Sequence, residues 1–281
     1  MRWVLYANIF IALCAMAYMA EGYLISGREM QFDALFYLSG TSTLFIYLLI
    51  RVVAARRIEV YDKDERWSFF LKNLPAFRIS TLCSLLASAV LYFFLDRSVQ
   101  IALLVPGIIS VIYGLPLGKK FRLRDVGVIK IFLISFVWAF ISAVLPAINS
   151  DDKFFDTRVL LLFAANYLFI FAITLPFDIK DMKVDALHHV KTIPVYIGEE
   201  NTYSLSMMLL FISSALHVYV QRMLPVGDTD YTIPLTISIL LTGLTIWLSK
   251  GRETINMIYF GLLDGMILIQ FVLCYVFKQM N

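Results

Sequence analysis

An all-α, polytopic membrane helical bundle of about nine transmembrane helices is the fold class predicted for this chain of 281 residues. Three observations predict it. Hydrophobic residues make up 60% of the sequence and charged residues only 16%, a balance foreign to soluble domains. The charges cluster between apolar runs close to the roughly 20 residues that a helix needs to cross a hydrocarbon core of about 30 Å. The runs are continuously apolar and too long for the alternating strands, about ten residues each, of a membrane barrel.

Nine segments follow in order: Trp3 to Leu24, Phe32 to Ala54, Phe77 to Leu95, Val99 to Leu117, Gly127 to Ile148, Val159 to Pro176, Thr202 to Val220, Tyr231 to Leu248 and Thr254 to Phe277. Pro106, Pro146 and Pro234 interrupt three of them. The first is long enough to span and lacks the small-residue cleavage site of a signal peptide. With no low-complexity linker, residues 1–281 read as a single transmembrane domain.

Basic residues near helix ends are retained on the cytoplasmic side. Counted at alternate ends of the nine segments, 18 of the 24 Lys and Arg fall on one side and six on the other. The expected topology of this integral membrane protein, in a cell inner membrane or its equivalent, has the N-terminus cytoplasmic and the C-terminus outside. The net charge of +3 reflects this bias and not a nucleic-acid footprint, since no compact basic domain carries it. Cys14, Cys83 and Cys274 lie far apart inside apolar runs and read as packing residues.

The side predicted to be cytoplasmic carries three hydrophilic loops, and the chemistry concentrates in the third, "LPFDIKDMKVDALHHVKTIPVYIG" at Leu175 to Gly198. A helix over Asp178 to His189, bracketed by Pro176 and Pro194, places Asp178, Asp181 and Asp185 at about 0°, minus 60° and minus 20°. His188 and His189 continue that face, while Lys180 and Lys183 point the opposite way. Carboxylates aligned in this manner repel one another unless a cation lies between them, and hard oxygen ligands of this kind suit Mg²⁺, which shares its shell with phosphate. A merely solvated charged loop is the plainer alternative.

The run "DIKDMKVDALHHVKTIPVYIG" resembles the second aspartate-rich motif of the UbiA superfamily of membrane prenyltransferases, through Asp178, Asp181, Asp185, Lys191, Thr192, Ile193, Pro194 and Gly198. "YGLPLGKK" at Tyr113 to Lys120 is similar to that family's tyrosine-to-lysine element, and "LLDGMILIQ" to a stretch of its last helix. The resemblance implies an enzyme that moves an isoprenoid chain from a prenyl diphosphate donor to a lipophilic acceptor, often an aromatic or quinone precursor. It implies Asp178, Asp181 and Asp185 as catalytic metal ligands and Mg²⁺ as cofactor. Lys119, Lys120, Arg122, Lys130 and Lys191 become candidates for the diphosphate. For Lys130 a snorkelling role at the membrane boundary is an equal alternative. Fifteen tyrosines and 23 phenylalanines supply ring faces for a prenyl tunnel and a developing cation.

The family's first motif, an Asn followed by spaced aspartates, is expected where this sequence reads "IYLLIRVVAARR", Ile46 to Arg57. No Asn or acid occurs from Ala34 to Ile58, and Glu59 with Asp62 is the nearest substitute as metal ligands. A noncatalytic isoprenoid or lipid binder therefore stands as the alternative to an enzyme. A transporter is disfavoured, because no inverted halves with broken midmembrane helices are evident. Among the remaining polar residues of the segments, Asn8, Asn166 and Asp264, the last two read as structural hydrogen bonds between helices, and Asp264 as remote from the charged face.

Overall fold

The computed structural model describes residues 2–55, 65–114, 127–150, 156–187, 190–225, 228–251 and 258–280. Their regular elements are all helical: α1 (Arg2–Tyr6), α2 (Ile9–Ile25), α3 (Ala34–Ala55), α4 (Glu65–Lys72), α5 (Leu74–Phe93), α6 (Arg97–Gly114), α7 (Gly127–Ala139), α8 (Leu145–Asn149), α9 (Thr157–Leu187), α10 (Ile193–Ile197), α11 (Glu199–Arg222), α12 (Thr232–Ser249) and α13 (Gly265–Met280). Among the described residues, eight helical spans are long and apolar enough to cross a membrane, and the shorter α2 brings the bundle to nine. Phe93 and Phe211 are 79% and 75% exposed on its outer surface, which suits contact with lipid. The protein is an integral membrane protein.

The first predicted segment is not one helix. Asn8, at φ 61°, adopts the left-handed conformation that short polar residues tolerate best, and it separates α1 from α2. The fifth segment is continuous but contains a π-helical turn, Phe140–Val144, ahead of Pro146. Proline has no N–H to offer the Ser142 carbonyl. Gly22 of α2 lies against that carbonyl, and a Cβ there would overlap it. The two backbones meet because residue 22 has no side chain.

The predicted stop at Pro176 is overturned. Helix α9 runs through it to Leu187, so the aspartates sit on a transmembrane helix and not in a loop. Pro176 deprives the Ala172 carbonyl of its helical donor, and Ser206 of α11 replaces it, its Oγ donating at 2.6 Å. Histidines 188 and 189 lie outside the described residues.

Helices α2 and α9 are lined by buried residues that form one core with the start of α13, including Ile11, Tyr18, Phe169, Ile170, Tyr259 and Met266. Polar ties pin this core. Asn166 donates to Ser142 Oγ at 2.7 Å and pairs with His217 Nε2 at 2.9 Å, the structural role expected of it. No motif marks Glu21, yet it is fully buried and faces Gln270 across the α2–α13 seam.

Candidate functional site

Successive spanning helices alternate in direction, so the C-terminal ends of α3, α6 and α9 share one end of the bundle with the start of α1 and of α7. A cavity of about 380 Å³ opens among these ends, and its lining follows from that alternation: Leu5 to Ile11, Ile46 to Ala54, Ile109 to Tyr113, Lys130 to Trp138, Ile170 to Asp181 and Phe260 to Ile267 each contribute. Trp67 and Phe70 of α4 complete the wall. Most of the lining is aliphatic or aromatic. Among the described residues, the charged contributors are Arg51, Lys130, Asp178, Lys180, Asp181 and Asp264.

On α9, Ile170, Ile173, Thr174, Phe177, Asp178, Lys180 and Asp181 line the cavity. At about 100° per residue their arc centres on Phe177 and Asp181, with Asp178 on one flank and Lys180 on the other. Lys180 leaves the helix on the flank opposite Asp178, as expected, yet it lines the same cavity. Its long stem curls in from the flank, and its Nζ lies 5.1 Å from the Tyr259 ring centre and 4.7 Å from that of Phe260. Lys183 is exposed, as expected.

The three carboxylates occupy graded environments. Asp178 is 1% exposed, Asp185 half-buried and Asp181 exposed. Lys130 Nζ meets Asp178 Oδ1 at 2.7 Å. The snorkelling alternative for Lys130 thus gives way to a buried ion pair between the first turn of α7 and α9. Asp178 Oδ2 is buried with no hydrogen-bond partner. Such an atom is costly unless a donor or cation reaches it, so the donor set fits a metal ion. Among the described residues no three His, Cys, Asp or Glu side chains form a ready metal cage. Mg²⁺ commonly takes only one or two carboxylates and fills its shell with water and phosphate, which reconciles the two observations.

Of the other sequence candidates, Lys191 is exposed and does not line the cavity. Its backbone instead braces the site, because Gly127 at the start of α7 abuts the Lys191 carbonyl, and Thr192 beside it is fully buried. Glu59, Asp62, Lys119, Lys120 and Arg122 lie outside the described residues. Tyr113, from the tyrosine-to-lysine element, is on the wall. Asp264 corrects the sequence reading. It follows the π-helical turn Ile258–Leu263 and lines the cavity with Asp178 and Asp181. Its position ten residues into an apolar run suggested depth, but the cavity reaches that deep.

Fold and site together define a membrane helical bundle with an apolar chamber capped by carboxylates and cations at one end. Residues 71–256 match the UbiA prenyltransferase family, and the chain belongs to that family. A UbiA homologue from Archaeoglobus fulgidus bound to GPP and Mg²⁺ shares the fold with a TM-score of 0.69 and 14% identity, over 98% of this chain and 100% of that one. A structure described for digeranylgeranylglyceryl phosphate synthase gives a TM-score of 0.60 at 17% identity, over 98% of each chain. The apo UbiA homologue from Aeropyrum pernix K1 gives 0.64 at 14%, over 97% of this chain and 98% of that one. At these identities the likenesses establish the fold. No curated protein matches the sequence.

Proposed function

We propose that this protein transfers an isoprenoid chain from a prenyl diphosphate to a lipophilic acceptor of the aromatic or quinone-precursor kind, with its charged end facing the cytoplasm. The observation that carries the reading is the unpartnered Asp178 Oδ2 beside the Lys130 ion pair, at the polar end of an apolar chamber. The apolar walls take the isoprenoid tail, and the polar end takes the head group.

Asp178, Asp181 and Asp185 would together attract Mg²⁺, with one or two of them as direct ligands, and the ion would supply positive charge to the diphosphate oxygens. In the transfer, the allylic C–O bond breaks with its electron pair leaving on the diphosphate. The acceptor's nucleophilic carbon or oxygen forms the new bond to the allylic carbon and releases a proton. Lys130 holds Asp178 in place, and the ring faces of Phe177 and Phe260 shelter the cationic carbon from water. Structures of homologues bound to GPP or DMAPP with Mg²⁺ support this assignment.

The test is product analysis of the purified protein supplied with prenyl diphosphates of several lengths and membrane extract as acceptor source, alongside equilibrium binding of the donor. Turnover that needs Mg²⁺, together with chelator-sensitive donor binding that disappears in Asp181→Asn and Asp185→Asn, is the expected result. Binding without product in any combination would select the noncatalytic alternative, and no donor binding at all would remove the transferase reading.

A further inference from the structure

Arg51 stands near the C-terminal end of α3, in a stretch from Ile46 to Ala55 that contains no acid. It lines the cavity. Its Nη1 donates to the carbonyl of Tyr6, whereas Nη2 is buried with no hydrogen-bond partner. The two facts are linked through the break at Asn8. A helix that ends leaves its last carbonyls without later N–H groups to serve, and α1 ends at Tyr6. The interrupted first segment thus grips one side of the guanidinium. The planar group then has its remaining donors set in direction, and that fork matches phosphate oxygens.

Among the described residues, the other two cations of the lining are already engaged. Lys130 is held by Asp178 at 2.7 Å, and Lys180 lies over the rings of Tyr259 and Phe260. A buried guanidinium N–H without an acceptor costs free energy that a ligand oxygen would recover. We infer that Arg51 is an anion-binding residue of the cavity, donating through Nη2 to a phosphate oxygen of the prenyl diphosphate. The inference rests on the transferase reading and adds a division of labour to it. The α9 wall binds the diphosphate through carboxylates and a divalent ion, and the α3 wall binds it through a fixed organic cation that needs no metal. The acid-free stretch of α3 is then a functional trait of this chain, because an acid beside Arg51 would compete for the same N–H groups.

The experiment titrates the full-length protein in nanodiscs with farnesyl diphosphate and with farnesol, each in Mg²⁺ and in EDTA. Arg51→Gln retains a donor for the Tyr6 carbonyl. It is expected to weaken farnesyl diphosphate binding about 10-fold to 100-fold, the range for one lost charge-assisted hydrogen bond, and to leave farnesol binding unchanged. The loss persists in EDTA, whereas Asp181→Asn removes only the Mg²⁺-dependent share of the affinity. If Arg51→Gln does not fold, Arg51→Lys serves, since an ammonium cannot reproduce the fork: weaker diphosphate binding with farnesol spared is again the expected result. Unchanged diphosphate affinity, or equal losses for both ligands with a lowered unfolding temperature, overturns the role of Arg51 while leaving the transferase. A wild-type protein that binds no farnesyl diphosphate overturns both.

Discussion

The Oγ of Ser206 lies 2.6 Å from the carbonyl oxygen of Ala172, and this bond from a neighbouring helix carries α9 past Pro176. Ser206→Ala strands a buried carbonyl, so a loss of about 1–3 kcal/mol is expected. Pro176→Ala restores the missing N–H. In that background Ser206→Ala should cost far less, and thermal unfolding of the four proteins reads the coupling directly. Additive losses would mean that the bond does not serve the proline.

Lys130 and Asp178 form a pair that is difficult to halve. Lys130→Met leaves a buried carboxylate without its cation and is expected to cost about 3–5 kcal/mol. Combining it with Asp178→Asn removes the stranded charge and should recover most of that stability. Recovery of fold without recovery of donor binding would separate the structural from the functional share of the pair.

Glycines in this bundle differ sharply in what surrounds them. Gly22→Ala drives a methyl into the Ser142 carbonyl and must push the two backbones apart, so a loss of about 1–3 kcal/mol or more is expected. Gly107 has open space where its Cβ would stand, and Gly107→Ala on α6 should be neutral or stabilise by about 0.5–1 kcal/mol. Comparable destabilisation in both would refute the close approach of α2 to the π-helical turn.

Orientation is open to chemical labelling. In a protein without Cys14, Cys83 and Cys274, a cysteine at Asp185 should react with an impermeant maleimide from the cytoplasmic side, and one at Asp228 from the other. Reaction of position 185 from outside alone would invert the topology drawn from the basic residues.

Much of the bundle was legible because a bilayer imposes length and apolarity on every spanning helix, and each of the nine segments has a helical counterpart. The aspartate spacing likewise put Asp178 and Asp181 on one face, and both line the cavity. What escaped the sequence depended on partners distant along the chain. Pro176 reads as a stop until Ser206, on another helix, satisfies Ala172. Lys180 points away on a helical wheel because a wheel gives every side chain the same short reach. Arg51 sits within a stretch notable in sequence only for its missing acids, and the carbonyl that orients it comes from the break at Asn8. Glu21 carries no motif at all, and only packing against Gln270 distinguishes it.

The chamber also has a floor. Trp138 lies eight residues beyond Lys130 on α7, and Ile170 eight residues before Asp178 on α9, which sets both roughly 12 Å below the ion pair at about 1.5 Å per residue. The Trp138 ring is backed by Tyr18 at 6.2 Å, and Tyr18 is itself tied to the Asn166 carbonyl at 3.2 Å, so the indole has nothing soft behind it. On the proposed function, an isoprenoid seated with its head at the carboxylates would meet that indole with its tail, and the expected consequence is a limit on chain length. Trp138→Ala should move the optimum toward longer donors in a binding series of graded lengths; an unmoved optimum would place the gauge elsewhere. The same rigid core that makes the protein stable would then also decide which member of a homologous series it accepts.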